Sequence, residues 1–323
     1  MAVTGQTRST NHVVDRQGPS SGPLFLVGCA RTGSTLLRHI LNRASAVSLA
    51  SETHFMSWSR RHRLASKLAS VRGARDPRIA LATVVAELFA DDAWIWIRRN
   101  LTVDELVDRL AAGELTERSV FACLLELYAE RRGGLERGVG TRGEKTPAHL
   151  YDVPLLAAWF PESRFIHTFR DPRGIYASEL RRLRQGRWGP KARFPWVPSA
   201  IVDPMLAPWE ALATLKAWLD AARLHRRYAR ELGDRYRLVR FEDLVTAPER
   251  EVRGICDFIG VPFDDAMLDG VDVVGSSFAD ERHATPGFDP GAASRWRDEI
   301  HPLASRWFAV TLGGRLRQFG YRA

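Results

Sequence analysis

The sequence predicts an α/β chain, a three-layer P-loop-containing fold in which helices cover a central, mainly parallel sheet and further helices are inserted between strands. Three observations predict it. Leu24-Phe25-Leu26-Val27 runs into Gly28, a tight loop holds Arg31, and Gly33-Ser34-Thr35 opens an apolar helical pattern. Arg164 to Phe169 forms a second strand, and Arg170-Asp171-Pro172-Arg173-Gly174 turns straight into a helix carrying Ile175 and Tyr176. Between these units, apolar residues recur mostly at helical intervals. Two strand, turn, helix units favour parallel strands joined by crossover helices.

Size and composition bound the rest. The chain has 323 residues, of which 45% are hydrophobic, enough for a sizeable core. Residues 1–22 are polar and rich in Pro, Gly and Ser; they predict a flexible lead-in to a single domain over 23–323. The net charge of +9 comes from arginine spread through almost every predicted helix, not from one basic arm, and no nucleic-acid motif accompanies it. No nucleic-acid partner is expected. Cys29, Cys123 and Cys256 are too few and too scattered for a disulfide framework or a metal pair, which points to a reducing, cytoplasmic location. No apolar run approaches the length of a membrane span.

The elements follow in order. Ser34 to Arg43 reads as a helix with Leu36, Leu37, Ile40 and Leu41 on its apolar face. Val47 to Leu49 is a short strand that delivers Ser51, Glu52, Thr53 and His54 to a sheet end, where open α/β folds place their sites. Pro77 to Ala90, Val103 to Ala111 and Glu117 to Arg131 are helices forming a packed layer. A strand closing at Val139 is expected before Gly143-Glu144-Lys145-Thr146-Pro147, with a helix from Tyr151 to Trp159 stopped before Pro161.

Beyond the second unit, Gly186 to Asp203 is a Pro-interrupted loop with Trp188, Phe194 and Trp196, either a substrate-side surface or aromatics that pack the loop down. Met205 to Leu232 reads as a long helix or bent pair with Trp209, Leu212, Leu215, Leu219 and Ala222 at helical spacing. Tyr236 to Phe241 is a strand ending in Glu242-Asp243, and Glu249 to Ile259 a helix. Gly270 to Gly291 is a long connection, and His301 to Gln318 a terminal helix.

The first loop carries the chemistry. Backbone N–H groups and the positive end of the following helix converge there, which suits a phosphate or sulfate. Gly28 to Gly33 has the spacing of a nucleotide triphosphatase loop, but Ser34 and Thr35 stand where Lys and then Ser or Thr would follow, and the charge sits on Arg31. The lysine and magnesium arrangement of a phosphoryl-transfer enzyme is not supported. Thr32, Gly33, Ser34 and Thr35 supply donors. Arg170 at the strand exit and Ser178 two turns into the next helix form a second anion-directed pair. Each has a structural alternative, an ion pair with Asp171 for Arg170 and a hydroxyl-to-backbone bond for Ser178.

Together, Gly28-Cys29-Ala30-Arg31-Thr32-Gly33-Ser34-Thr35-Leu36-Leu37 and Phe169-Arg170-Asp171-Pro172-Arg173 with Ser178 resemble the sulfotransferases that use 3′-phosphoadenosine 5′-phosphosulfate (PAPS), with bacterial and tyrosyl-protein-type members the nearest in pattern. Gly143-Glu144-Lys145-Thr146-Pro147, Arg240-Phe241-Glu242-Asp243-Leu244 and Arg295-Trp296-Arg297 echo the family in the same order. The resemblance implies a loop that wraps the 5′-phosphosulfate, with Arg31 as its basic ligand assisted by Thr32 to Thr35. It implies Arg170 and Ser178 at the 3′-phosphate, Lys145 at the donor, and Arg295 and Arg297 as late basic contributions. The implied product is adenosine 3′,5′-bisphosphate, with no metal required.

Cytosolic members of that family carry a histidine after Lys-Thr; here the position is Pro147. Glu52 stands where tyrosyl-protein and several bacterial members have a catalytic glutamate, so the resemblance gives it the role of base. His54 and His149 are alternative proton acceptors. The expected reaction is direct in-line sulfuryl transfer to a hydroxyl or amine of a small-molecule, lipid or glycan acceptor. The competing readings are a P-loop small-molecule kinase and a non-catalytic nucleotide-binding homologue. Acceptor and oligomeric state are left open by the sequence.

Overall fold

The computed structural model describes residues 22–90, 101–132, 140–184, 199–271 and 288–322. Its five strands are β1 (Leu24–Gly28), β2 (Val47–Ala50), β3 (Thr141–Lys145), β4 (Arg164–Phe169) and β5 (Tyr236–Arg240). They form one sheet in the order β2-β3-β1-β4-β5, and every pairing is parallel. Central β1 sets Leu24 against Gly143 of β3 on one side and against Arg164 of β4 on the other. From β1 the chain leaves toward β2 at one edge, and from β4 it leaves toward β5 at the opposite edge. The carboxyl ends of β1 and β4 therefore flank a topological switch point, the place where open α/β sheets accept ligands.

Alternation along the strands divides the core in two. Phe25, Val27, Phe165 and Phe169 belong to one buried cluster, Leu24, Leu26 and Ile166 to the other. The second face is covered by α1 (Ser34–Leu41), through Leu36, Leu37, Ile40 and Leu41, and by residues of Phe241–Thr246 and Pro248–Ile259. The first face carries the helices inserted between β2 and β3: α2 (Phe55–His62), α3 (Leu64–Val71), α4 (Pro77–Ala90), α5 (Val103–Ala111) and α6 (Glu117–Arg131). The same face packs α7 (Val153–Trp159), α8 (Pro172–Arg184) and α9 (Ser199–Leu232). The expected layered sheet with helical insertions is what the chain forms.

Several boundaries move. Gly143-Glu144-Lys145 is itself the body of β3, where the expected strand closed earlier, at Val139, a residue outside the described ones. Gly143 is fixed by crowding, since a Cβ there would stand 1.8 Å from the Leu24 carbonyl oxygen. The expected helix from Tyr151 begins instead as a 3-10 turn over Pro147–Asp152, and α7 starts at Val153. β5 ends at Arg240, and Phe241–Thr246 is helix α10, followed by α11 (Pro248–Ile259).

Residues 185–198 and 272–287, which hold most of the two expected long loops, lie outside the described residues, while Ser199 already begins α9. On α9 the buried stripe is Ala211, Thr214, Trp218, Ala221 and Ala222; Trp209 and Leu212 of the expected face are 71% and 54% exposed. A short helix, α12 (Trp296–Glu299), precedes the terminal segment. That segment is two helices, α13 (Pro302–Leu312) and α14 (Gly314–Gln318), because Gly313 at φ +46° breaks the run.

Candidate active site

The loop between β1 and α1 is built by backbone geometry. Gly28 has φ +150°, and a Cβ there would lie 2.4 Å from the Thr168 carbonyl oxygen. Gly33, at φ +83°, leads into α1 under the ring of Phe241, whose Cδ2 a Cβ would approach to 2.5 Å. Arg31 itself is left-handed at φ 66°, a conformation unfavourable for a side-chain-bearing residue and held here by its surroundings. The Thr32 hydroxyl donates to the Cys29 carbonyl at 2.8 Å and lies 2.7 Å from the Thr168 hydroxyl, tying the loop to β4. The N-cap of α1, Gly33, has no side chain with which to cap the first N–H groups, a start that suits an external acceptor. Thr32 and Ser34 are buried, Gly33 and Thr35 half-buried.

Across the switch point, Arg31 Nε donates to Ser178 Oγ of α8 at 2.9 Å. Arg170 Nη1 donates to the Arg31 carbonyl at 3.1 Å and Nη2 to the Ala292 carbonyl at 3.2 Å. The Arg170 guanidinium lies 4.0 Å from the Phe241 ring centroid, and the Trp218 indole N–H holds the Arg170 carbonyl at 3.1 Å. Its Nε is buried and has no hydrogen-bond partner among the described residues. Gly174 makes the room: a Cβ there would come within 2.8 Å of that nitrogen. Burial pushes Arg170 down to about 10, against the opposing pull of Glu242. Arg31, Arg170 and Ser178 are thus one cluster. Arg295 pairs with Asp289, and exposed Arg297 stands 5.0 Å from the Trp296 ring, close in sequence to the Ala292 that Arg170 holds.

At the exit of β2, Glu52 accepts from Lys145 Nζ on one carboxylate oxygen and lies 3.2 Å from His54 Nε2 on the other. The partners sit in different environments: the Lys145 side chain is 3% exposed, that of Glu52 37%. Burial alone would raise the Glu52 carboxyl, but the His54 hydrogen bond and the charge and hydrogen bond of Lys145 outweigh it and hold the group down at about 2. Burial lowers the Lys145 ammonium, with Glu52 opposing it. His54, at φ 50°, is the second left-handed residue of the site. Arg31 and Arg38 both feel the Glu52 charge, Arg31 that of Glu179 before it, and Lys145 that of Glu144 as well, so cations and carboxylates are interleaved around the β2 exit.

His149 is engaged elsewhere. Its Nε2 accepts from the Met56 N–H at 3.3 Å, which leaves the proton on Nδ1, directed to Glu144 Oε1. Buried to 2% with both nitrogens committed, it presents no lone pair to a substrate. Thr53, Glu144, Trp218 and Phe241 complete the surroundings of the site. Thr53 belongs to the polar set expected at the sheet end, Glu144 and Phe241 lie inside the noted motifs without a role assigned to them, and Trp218 carries no signal in the sequence beyond its helix.

Among the described residues no group of three His, Cys, Asp or Glu side chains could hold a metal ion. A cavity of about 460 Å³, lined by Arg118, Glu126, Arg142 and Phe160, opens beside Gly22-Pro23 at the amino end of β1, away from this cluster.

Fold and site together define an α/β protein organised around a glycine-bounded loop at a parallel-sheet switch point. Within that class the chain belongs to the sulfotransferase family, whose model matches residues 23–265. It is 22% identical over 266 residues to the omega-hydroxy-beta-dihydromenaquinone-9 sulfotransferase Stf3 of Mycobacterium bovis, covering 74% of this chain and 63% of that protein. To protein-tyrosine sulfotransferase 1 of Danio rerio it is 24% identical over 275 residues, covering 85% of this chain and 62% of that one. The chain therefore spans less than two thirds of the length of these relatives. Among solved structures, the sulfotransferase domain from the Synechococcus PCC 7002 olefin synthase shares the fold, with TM-score 0.50 and 22% identity over 92% of this chain and 96% of that one.

Proposed function

We propose that this chain transfers a sulfuryl group from PAPS to a hydroxyl or amine of an acceptor by direct in-line displacement, as a glutamate-dependent member of its family like the bacterial and tyrosyl-protein types. The observation that carries the reading is the convergence of Arg31, Ser178 and Arg170 on one switch point, with the Glu52–Lys145 pair within the electrostatic reach of Arg31. The uncapped start of α1 and the unpartnered Arg170 Nε fit a ligand bearing more than one anionic group.

When bound, the nucleotide supplies the activated sulfuryl group and a phosphate leaving group. Arg31 and the first amides of α1 hold positive charge where the departing oxygen becomes negative. Arg170 and Ser178 hold the 3′-phosphate end, with Arg295 and Arg297 adding basic charge beside it. Glu52 takes the acceptor proton at its carboxylate. Paired as it is here, Glu52 is a weak base; turning Lys145 toward the donor removes its strongest positive neighbour and raises its proton affinity. Residues 23–323 act as one unit on this reading: beyond the family match, Ala292 supplies the Arg170 acceptor, and Phe308, Leu312 and Leu316 pack into the core of the first sheet face. The unpaired, buried cysteines support a reducing, cytoplasmic setting.

Calorimetry without divalent cations tests this. Adenosine 3′,5′-bisphosphate is expected to bind at least tenfold tighter than adenosine 5′-monophosphate, a difference of about 1.4 kcal/mol. Equal affinity for the two overturns the assignment of Arg170 and Ser178. Glu52→Gln is expected to keep nucleotide binding and lose about 10²-fold or more in turnover.

A further inference from the structure

Adjacent residues of β3 hold adjacent residues at the exit of β2. Lys145 pairs with Glu52. Glu144 accepts from the hydroxyl of Thr53 on Oε2, and the Thr146 hydroxyl donates to the same oxygen at 3.0 Å. The other oxygen takes His149 Nδ1. The Thr53 N–H donates to Thr146 Oγ1 at 3.0 Å, and Thr53 Oγ1 accepts from the Phe55 N–H at 3.2 Å. Strand geometry explains the arrangement. Lys145 lies in register with Leu26 and Glu144 with Phe25, residues of the two opposite sheet faces, so β3 grips the Glu52-Thr53 dipeptide from both sides.

Glu144 is 1% exposed, and two hydroxyls and the imidazole Nδ1 of His149 satisfy its buried carboxylate. A core needing only packing would place an apolar residue on this face of the strand, as Phe25 does on β1 and Phe165 on β4. The charges felt at Lys145 are those of Glu52 from the β2 exit, Arg38 from α1 and, across the strand from the opposite face, Glu144, with the titratable His39 of α1 nearby. Glu144 is thus one of two negative charges set against the repulsion of Arg38.

We propose that Glu144 is a positioning residue for the site: through Thr53 it fixes where Glu52 stands, and through its own charge it holds the Lys145 ammonium at the buried end of the Glu52 pair. The proposal rests on the roles given above to Glu52 and Lys145, and it goes beyond them in assigning a residue that touches neither donor nor acceptor.

Glu144→Gln and Thr53→Val in the full chain test it. Lysine is scarce, with Lys67, Lys145, Lys191 and Lys216 alone, so side-chain NMR resolves the Lys145 titration in the unliganded protein, with Lys145→Arg for assignment. Glu144→Gln is expected to move that titration down, while Thr53→Val leaves it in place. A folded Glu144→Gln protein with an unmoved Lys145 overturns the charge role, and this readout needs no nucleotide. With PAPS and an acceptor, Thr53→Val is expected to lower kcat about tenfold at constant donor KM; an unchanged kcat overturns the role through Thr53. If wild-type protein fails to bind adenosine 3′,5′-bisphosphate, the sulfuryl-transfer reading falls while the lysine titration still decides the charge role. If Glu144→Gln does not fold, Glu144→Asp, which keeps the charge, should restore folding with Lys145 titrating as in wild type; a displaced titration there overturns the charge role.

Discussion

The β1–α1 and β4–α8 units share one plan, a buried parallel strand, a short turn and a helix starting at the sheet edge, yet they finish the helix differently. In α1 the cap is a left-handed glycine with no side chain to offer, preceded by a left-handed arginine. In α8 the chain fills the end itself: Asp171 Oδ1 accepts from the Arg173 N–H at 2.9 Å, and its carboxylate makes a two-point pair with the Arg173 guanidinium at 2.9 and 2.7 Å. The Asp171 N–H donates to Glu242 Oε1 at 2.9 Å, and Arg173 Nη2 donates to the Arg322 carbonyl at 2.6 Å. One helix start has no cap from its own glycine; the other is closed by an internal carboxylate. The lesson is that an arginine beside a helix start identifies a ligand site only when the chain supplies no carboxylate of its own. Arg173 is taken up by Asp171 within its own turn, whereas Arg31 reaches across to Ser178 of α8.

The contrast is sharpest where charge is removed from the closed end. Asp171→Ala strands the Arg173 guanidinium, 5% exposed, and is expected to cost about 3–5 kcal/mol in chemical denaturation. Stability within about 1 kcal/mol of wild type would mean that the closed end is not structural. Arg31→Ala should act the other way, weakening adenosine 3′,5′-bisphosphate about 100-fold, or about 2.7 kcal/mol, while the melting temperature changes little. Gly33→Ala forces a methyl group toward Phe241 at φ +83° and should cost about 1–3 kcal/mol of stability together with nucleotide affinity; an undisturbed protein would show that the open end tolerates a side chain.

The smallest effect concerns pH. The Glu52 carboxyl is held at about 2, below its ordinary 4.5, so folding favours its ionised form. Its contribution to stability is complete above the ordinary value and is lost as pH falls from about 4.5 to about 2. Because the side chain is 37% exposed, solvent screening keeps that contribution below about 1 kcal/mol. Wild type and Glu52→Gln should therefore differ in melting temperature near pH 6 and converge toward pH 2; a gap that widens on acidification would contradict the sign.

Some of this was written locally and some was not. Strand, glycine loop and helix at Leu24–Leu41 are short-range events, governed by apolar runs and by the left-handed backbone that glycine favours, so they are legible in one stretch of sequence. The same holds for Arg164–Arg184. β3 was misplaced because Gly143 and Lys145 look like loop residues; the strand exists because Gly143 lets its backbone approach that of Leu24, a contact across more than a hundred residues. On α9 the expected face holds at Leu215, Leu219 and Ala222, which pack on the core, and fails at Trp209 and Leu212, since Trp209 and Trp218 are equally apolar and packing alone buries Trp218.

The sequence by itself determined the residue types and the local frames: a glycine-led helix start beside Arg31, a carboxylate at Glu52, a basic strand exit at Arg170. Tertiary structure decided the partnerships, joining Arg31 to Ser178, Glu52 to Lys145, and His149 to Glu144. The physical reason is that backbone conformation depends on neighbours a few residues away, whereas a hydrogen bond or ion pair depends on which strands lie side by side. Strand order follows from burying two faces of one sheet, a property of the whole chain.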